Sequence, residues 1–487
     1  MRCRSGRISE SIPVLSPGRR VRLKRKVPVR LPSILDTQVT RMNRRWSLPF
    51  VLIVLLAGFS LFIADAPPVA TGGPISAGDT AWILTASGLV LLMTPGLSFF
   101  YGGFVSAKNV VSTMLQSFVA LGVISLLWIV VGFSLAFGES WHGIIGNPAT
   151  FFMFRGVTGA THPDLSPTIP FLLFAMFQMK FAIITPALIT GSFAERVRFS
   201  AYLLFMCLFS LLVYCPLAHW TWHPDGFLRQ MGVLDFAGGT VVHISAGMAA
   251  LAGALVLGRR SAHIDGETHP PSNIPHVLLG TGMLWFGWFG FNAGSALAAN
   301  ETAVSAFATT NTASAAAMLT WMFLDAALGR RPSAVGACIG AVVGLVAITP
   351  AAGYVSIAHS IPIGVAASIV SNAAVHWKTR STLDDTLDVF PCHGLGGIVG
   401  MVMTGVLARD VGLLAGQTQT FVNHLLALVI VCAFTFVTSY LLYLATNAII
   451  PIRVTEDQEH VGLDLSQHGE MVEPEPERPL VARAAAG

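Results

Sequence analysis

The 487-residue chain is 53% hydrophobic and only 11% charged, against roughly 25% charged residues in an ordinary soluble domain. That deficit excludes a protein whose whole surface faces water. The formal net charge of +4 does not indicate nucleic-acid binding either, because residues 1–45 carry 13 Lys/Arg against 2 acids while the rest carries 16 against 23.

Taken from the start, residues 1–41 are Arg-rich without periodicity. They read as a disordered leader, or as sequence ahead of a true start at Met42. Next comes "RMNRRWSLPFVLIVLLAGFSLFIADA" (41–66), with a basic start, an apolar centre and an "ADA" end. This layout predicts a signal peptide over 42–66, the alternative being an uncleaved extra helix.

A bilayer core needs about 20 apolar residues per helix. On that measure eleven spans are expected, near 80–104, 109–136, 168–191, 199–219, 236–257, 275–298, 302–327, 335–351, 354–376, 389–408 and 420–450. The fold class is therefore an all-α polytopic membrane protein, with a transmembrane domain over 78–452. A tail over 453–487 is expected to be exposed and partly disordered, on account of "EPEPERP".

Lys108, Arg196, Arg198, Arg259, Arg260, Arg330, Arg331, Lys378, Arg380 and Arg453 follow odd-numbered spans, whereas Arg155, Arg229 and Arg409 follow even-numbered ones. By the positive-inside rule the first set faces the cytoplasm. That puts the mature N-terminus outside, the C-terminus inside, and the protein in the cell (inner) membrane. Gly336, Gly340 and Gly344 make a small-residue ridge on the eighth span, where another helix can approach closely.

The six cysteines form no C-x-x-C pair and five lie in apolar spans, which predicts packing residues rather than a disulfide framework or a zinc site. Two histidines sit well inside glycine-rich spans: His243 in "DFAGGTVVHISAG" and His393 in "DVFPCHGLGGIVG". Each follows an aspartate at the start of its span, Asp235 and Asp388. Helices five spans apart run in opposite directions, so both rings approach the midplane. This suggests five-plus-five inverted repeats with a site at their interface. One reading of such a histidine is a structural hydrogen bond between helices; the other is a substrate path, the usual role of ionisable groups at this depth. No Asp, Glu or Cys sits at ligand spacing beside either ring, so no metal is expected, and no cofactor.

In "WFGWFGFNAGS" Trp288, Phe291 and Ser295 recur at i, i+3 and i+7, on one helix face, and Phe177 and Phe181 are i, i+4 neighbours on the third span. Trp222 closes the fourth span. An interfacial aromatic belt would explain single rings. A hydroxyl in the same stripe suits a small cation that donates hydrogen bonds, since aromatic faces attract cations.

With these residues assembled, the chain resembles the ammonium transporter (Amt/Mep/Rh) family, as a bacterial Amt-type member. The resemblance runs over about 78–470, through "LMTPGLSFFYGGFVSAKN", "FAIITPALITGSFAERVRFSA", "DFAGGTVVHISAGMAALAGALVLGRR", "GWFGFNAGSALAAN" and "DDTLDVFPCHGLGGIVG". It implies a homotrimer of eleven-helix subunits, each with its own apolar pore. Trp222, Ser295 and Phe181 match the family's outer ammonium-recruitment site, and Phe181 and Phe291 its phenyl gate. His243 and His393 match the twin pore histidines, with Asp235 and Trp288 in supporting positions. The tail "RVTEDQEHVGLDLSQHGE" (453–470) is similar to the region where a PII-type regulatory protein docks in bacterial members.

The expected function is conduction of ammonium or ammonia, with cation recruitment, deprotonation and passage of the neutral molecule. Alternatives are a Rh-type ammonia or carbon dioxide channel, and an ammonium sensor with little flux. Trp222 and Ser295 speak against the first, and a short tail against the second. With no nucleophile–base pair, an enzyme is not expected. Lys180, beside Phe181, is expected to point away from the pore toward the subunit boundary.

Overall fold

The structure, a computed structural model, describes residues 44–266 and 270–472. It divides into two compact units, 1–63 and 64–487. Of the first, the described part is one helix, Arg44–Ser60, at the apolar centre of the expected signal segment. Residues 1–41 lie outside the described residues.

The second unit is a helical membrane domain. Helical segments stand at all eleven expected places, and eight are long and apolar enough to cross a membrane: Ala77–Phe104, Ala107–Phe137, Phe171–Ser192, Phe199–Gln230, Gly239–Leu257, Ile357–Lys378, Phe390–Leu407 and Thr418–Ile449. The other three are Ile274–Gly294, Glu301–Ala327 and Ala334–Ile348. They are less apolar or shorter because they are built for helix contact. At Gly340 an added Cβ would stand 2.7 Å from the Trp321 Cβ, and at Gly344 2.5 Å from the Ala313 carbonyl oxygen. The small-residue ridge of the eighth span therefore lies directly on the seventh, where close backbone approach replaces bulky apolar side chains.

Helix starts follow local capping. Ser76, Asn273, Asn300, Ser333 and Ser356 each accept the backbone N–H three residues on, supplying a partner to a helix N–H that has none within the helix. The sixth span ends at Gly294, short of the expected 298, because Leu297 takes a positive φ of 56° and Asn300 already caps the next helix.

The architecture has the expected inverted-repeat character. The first span packs most extensively against the sixth, and the fifth crosses the tenth, each pair five spans apart. Both the fifth and tenth spans open with a π-helical turn, Gly239–Ile244 and Phe390–Leu395, and both turns contain the histidine.

The first part of the tail departs from expectation. Thr455 caps the short helix Glu456–Val461 through a reciprocal capping box. Asp464 then accepts the backbone N–H groups of Val111 and Ser112 at 2.9 and 2.7 Å, and Leu463 donates to Asn109. Glu459 and Asp464 are buried. Acidic side chains that read as solvated thus cap helix starts, Asp464 that of Val110–Leu127 and Glu459 that of Ser261–Ile264 through the Ser261 N–H, while "EPEPERP" lies outside the described residues.

Candidate functional site

Spans three, four, five, six and ten converge on one line of side chains. At one end is a cavity of about 390 Å³, whose lining includes Phe181, Trp222, Ser295, Gln178, Thr221 and Asp235. Ser295 caps the C-terminus of the sixth span, and its hydroxyl donates to the Phe291 carbonyl at 2.8 Å. The proton is thereby committed, and the oxygen's lone pairs are left to accept from a ligand. Trp222 is held by its indole N–H, which donates to the Asp235 carbonyl at 3.2 Å. Phe181 stands edge-on to it, ring centroids 5.8 Å apart at 80°.

Beneath this cavity Phe181 and Phe291 lie against each other, centroids 4.2 Å apart, both fully buried. Trp288 packs against both Phe291 and His243, which also touch each other; its ring is 5.2 Å from the imidazole and nearly parallel to it, and its N–H donates to Thr349. The imidazoles of His243 and His393 follow, Nδ1 to Nδ1 at 3.3 Å. In two neutral rings so paired, one Nδ1 donates and the other accepts, so one Nε2 is an acceptor and the other a donor. The Nε2 of His243 is buried with no hydrogen-bond partner in the protein. Beyond His393 a second cavity of about 60 Å³ is lined by Tyr101, Thr386, Asp388 and Cys392 among others.

The two histidines meet because their helices touch. An added Cβ at Gly247 would lie 2.2 Å from the Gly394 nitrogen, so only glycine allows the backbones this close. The π-helical turns widen the helix at each histidine and re-aim its ring, as such turns often do at functional sites.

Asp235 lines the first cavity, but its carboxylate is occupied: it accepts the backbone N–H groups of Gly238, Gly239 and Thr240 at 2.7–2.8 Å and the Thr240 hydroxyl. It is the N-terminal cap of the fifth span and fixes the entrance loop. Its counterpart in the tenth span is Asp385 rather than the Asp388 expected from sequence. Asp385 precedes His393 by eight residues, as Asp235 precedes His243, and accepts the Phe390 N–H at 2.7 Å. His243 is the fifth residue of its π-helical turn and His393 the fourth of its own, so the two rings sit at closely matching depth from opposite ends. Asp388 instead forms an ion pair with Lys378 at 2.6 Å.

Sequence reading missed Gln178 and Thr221. Both line the first cavity, and the Gln178 Oε1 and Thr221 Oγ1 are buried without partners. Gln178 lies three residues before Phe181, on the same helix face, a spacing that could have revealed it. Lys180 is not part of the lining of the first cavity: it shares the partly exposed stripe of Leu172 and Met176, at i, i+4 and i+8.

The loops around the second cavity are fixed by charge. Arg260 binds Glu195 at 2.6 Å and Asp384 at 2.9 Å, and the fully buried Arg196 donates to Thr386 and the Asp384 carbonyl. Burial would raise the Asp384 carboxyl, but Arg196 and Arg260 together hold it far below the usual carboxylate range. Burial lowers the Arg196 guanidinium to about 10, which leaves it charged at neutral pH. Among the described residues no group of three or more His, Cys, Asp or Glu could hold a metal.

The chain as a whole is similar to known proteins. The profile of the Ammonium Transporter Family matches residues 81–473. The chain is 45% identical over 420 residues to the ammonium transporter of Aquifex aeolicus, covering 85% of this chain and 97% of that one. The crystal structure of Saccharomyces cerevisiae Mep2 superposes with a TM-score of 0.74 at 36% identity, covering 79% and 88% of the two chains. A structure described as a Sensor Amt Protein does so at 0.75 and 30% identity, covering 80% and 98%.

Proposed function

The chain belongs to the Ammonium Transporter Family, and we propose that it conducts ammonium across the cytoplasmic membrane. The cation binds in the cavity lined by Trp222, Phe181 and Ser295, gives up its proton to water on the outer side of that cavity, and passes the phenyl gate as ammonia to the histidine pair. The observation that supports this reading best is the order of groups along one line: a cation-attracting cavity, a closed phenyl pair, then two imidazoles in mutual contact.

Each group supplies a definable effect. Trp222 and Phe181 offer cation–π attraction of about 0.5–2 kcal/mol, stronger as water is excluded. Ser295 accepts a hydrogen bond that ammonium can donate and K⁺ cannot. The buried phenyl pair presents no oxygen to replace a hydration shell, so an ion that cannot lose its charge stops there. Ammonia passes, and the partnerless Nε2 of His243 gives it a hydrogen-bonding group beyond the gate.

The alternating basic loops support an outside N-terminus and a cytoplasmic C-terminus, with 42–66 as a signal peptide. Homotrimeric assembly and docking of a PII-type protein on the cytoplasmic face rest on the resemblance to the family. An ammonium sensor with little flux is a second reading, favoured by the likeness to the Sensor Amt Protein.

Uptake of labelled ammonium into liposomes holding the purified protein, with K⁺ in excess, tests the proposal. Uptake that saturates and is weakened by Ser295→Ala agrees with it. Binding without uptake above empty liposomes would favour the sensor.

A further inference from the structure

Besides the two histidine-bearing turns, the second and fourth spans each contain a π-helical turn, Trp128–Gly132 and Ser210–Tyr214. The two turns face each other. The Cys215 thiol donates to the Gly132 carbonyl at 3.5 Å, and the Trp128 and Tyr214 rings meet edge to face with centroids 6.3 Å apart. Between them lies a cavity of about 10 Å³ whose lining includes Ser210, Tyr214, Gly132 and Ala182. We propose that this cavity is a binding site for one buried water molecule, held by the hydroxyls of Ser210 and Tyr214.

Three observations support it. First, the Ser210 Oγ and the Tyr214 hydroxyl oxygen are both buried without a hydrogen-bond partner among the described residues. Buried hydroxyls are nearly always bonded, to protein or to ordered water, and at this depth in a membrane domain neither bulk water nor a lipid headgroup is within reach. Nor is the Ser210 hydroxyl spent on its own helix. In the first three spans Ser87, Ser98, Ser125 and Thr185 each donate to the carbonyl four residues back, whereas Ser210 does not.

Second, the space fits the ligand. A cavity of this size takes one water molecule and nothing larger. Water brings two donors and two lone pairs, so it can serve both hydroxyls at once, each of which can donate or accept.

Third, the backbone is shaped for it. In each turn the closing hydrogen bond reaches five residues back, from the Phe133 N–H to the Trp128 carbonyl and from the Cys215 N–H to the Ser210 carbonyl. The widened turn re-aims its side chains, which brings Ser210 and Tyr214 to one cavity. Ala182 of the third span, the residue after the gate residue Phe181, forms another part of the wall. The water therefore stands behind the helix that carries the gate, and its occupancy does not depend on which species the pore carries.

The test is hydroxyl-radical labelling of the full-length protein in detergent and ammonium-free buffer, with the radicals made from water by an X-ray pulse and the labels read by mass spectrometry. A buried side chain is labelled in this way only by water lying beside it. The expected result is a label on Tyr214 and none on Tyr202, which is equally buried but donates its hydroxyl to the Gln116 carbonyl. Just after mixing into heavy-oxygen water the Tyr214 label should still carry ordinary oxygen, because an enclosed water exchanges slowly. Tyr354, in the lining of the first cavity, should take up heavy oxygen at once. Ser210→Ala, which adds no bulk, should weaken the Tyr214 label about fivefold, the value of one neutral hydrogen bond. Ser210→Val, which also fills the cavity, should abolish it. A Tyr214 label no stronger than that of Tyr202 would overturn the proposal. So would one that takes up heavy oxygen as fast as Tyr354, or one undiminished in both variants.

Discussion

Gly247 and Gly394 are in backbone contact, so close that a Cβ on Gly247 would lie 2.2 Å from the Gly394 nitrogen and 2.3 Å from its Cα. That contact holds the fifth and tenth spans at the distance that lets His243 and His393 meet at 3.3 Å. Gly247→Ala should therefore part the helices, at a cost of about 1–3 kcal/mol from overpacking, and separate the two rings. A fall in thermal stability together with loss of ammonium uptake is the expected outcome. Wild-type uptake in this variant would mean that the crossing does not set the pore.

Ser295→Ala removes the hydroxyl but not the aromatic faces of Trp222 and Phe181. A hydrogen bond to a charged group is worth about 1.5–3 kcal/mol, so half-saturation for ammonium should rise about tenfold or more, while the maximal rate changes little. Titrating uptake against external ammonium measures both. A change confined to the maximal rate would place Ser295 outside the recruitment step.

Asp235→Asn tests a structural cap. The carboxylate accepts from three backbone N–H groups and one hydroxyl, and an amide has one acceptor oxygen for them. Leaving buried donors unsatisfied costs about 1–3 kcal/mol each, so the variant should be strongly destabilised. Asp235→Ala should be no better. A variant as stable as the parent but altered only in ammonium affinity would instead make Asp235 a direct ligand.

The loops beside the second cavity carry a pH signature. Asp384 titrates far below the usual carboxylate range, with burial opposed by Arg196 and Arg260. A carboxyl depressed on folding contributes stability that is complete above its unfolded value, about 3.9. It is lost progressively as pH falls from there toward the lower folded value, below which none remains. Loosening of 193–198, 258–264 and 379–389, followed by proteolysis or hydrogen exchange, should thus be absent at pH 5 and appear only in strong acid. Asp384→Asn should loosen the same loops at neutral pH, because it leaves the largely buried Arg260 and the buried Arg196 without that charge.

Lys180→Met should leave ammonium uptake unchanged, since Lys180 lies on the outward stripe with Leu172 and Met176 rather than in the cavity beside its neighbour Phe181. Reduced uptake by a normally assembled protein would show that its charge acts on the pore.

How far these features could be read in advance depends on the range of the interactions behind them. All eleven helical places were legible because apolar runs and capping residues are local, and the stripe of Trp288, Phe291 and Ser295 followed from helical spacing. Span ends were less legible: 295–298 leaves the helix because of the positive φ at Leu297. The roles of Trp222 and Asp235 came from the family resemblance, not from their own surroundings in the sequence. The counterpart aspartate was misassigned because Asp388 lies closer to the span start, whereas the equal eight-residue spacing selects Asp385. The Gly247–Gly394 contact and the tail docked by Asp464 depend on partners 147 and 352 or more residues away, and no local pattern announces them.

The most direct measurement is the current that follows an ammonium pulse, together with internal pH, in liposomes on a supported membrane, for the unaltered protein and for His243→Ala. The account predicts ammonium-driven transport in the unaltered protein, seen as current or as internal alkalinisation. In His243→Ala that signal should be abolished, or replaced by a current that K⁺ also carries. Identical, ammonium-selective transport in both proteins would contradict a path through the histidine pair, and no transport in either would contradict conduction altogether.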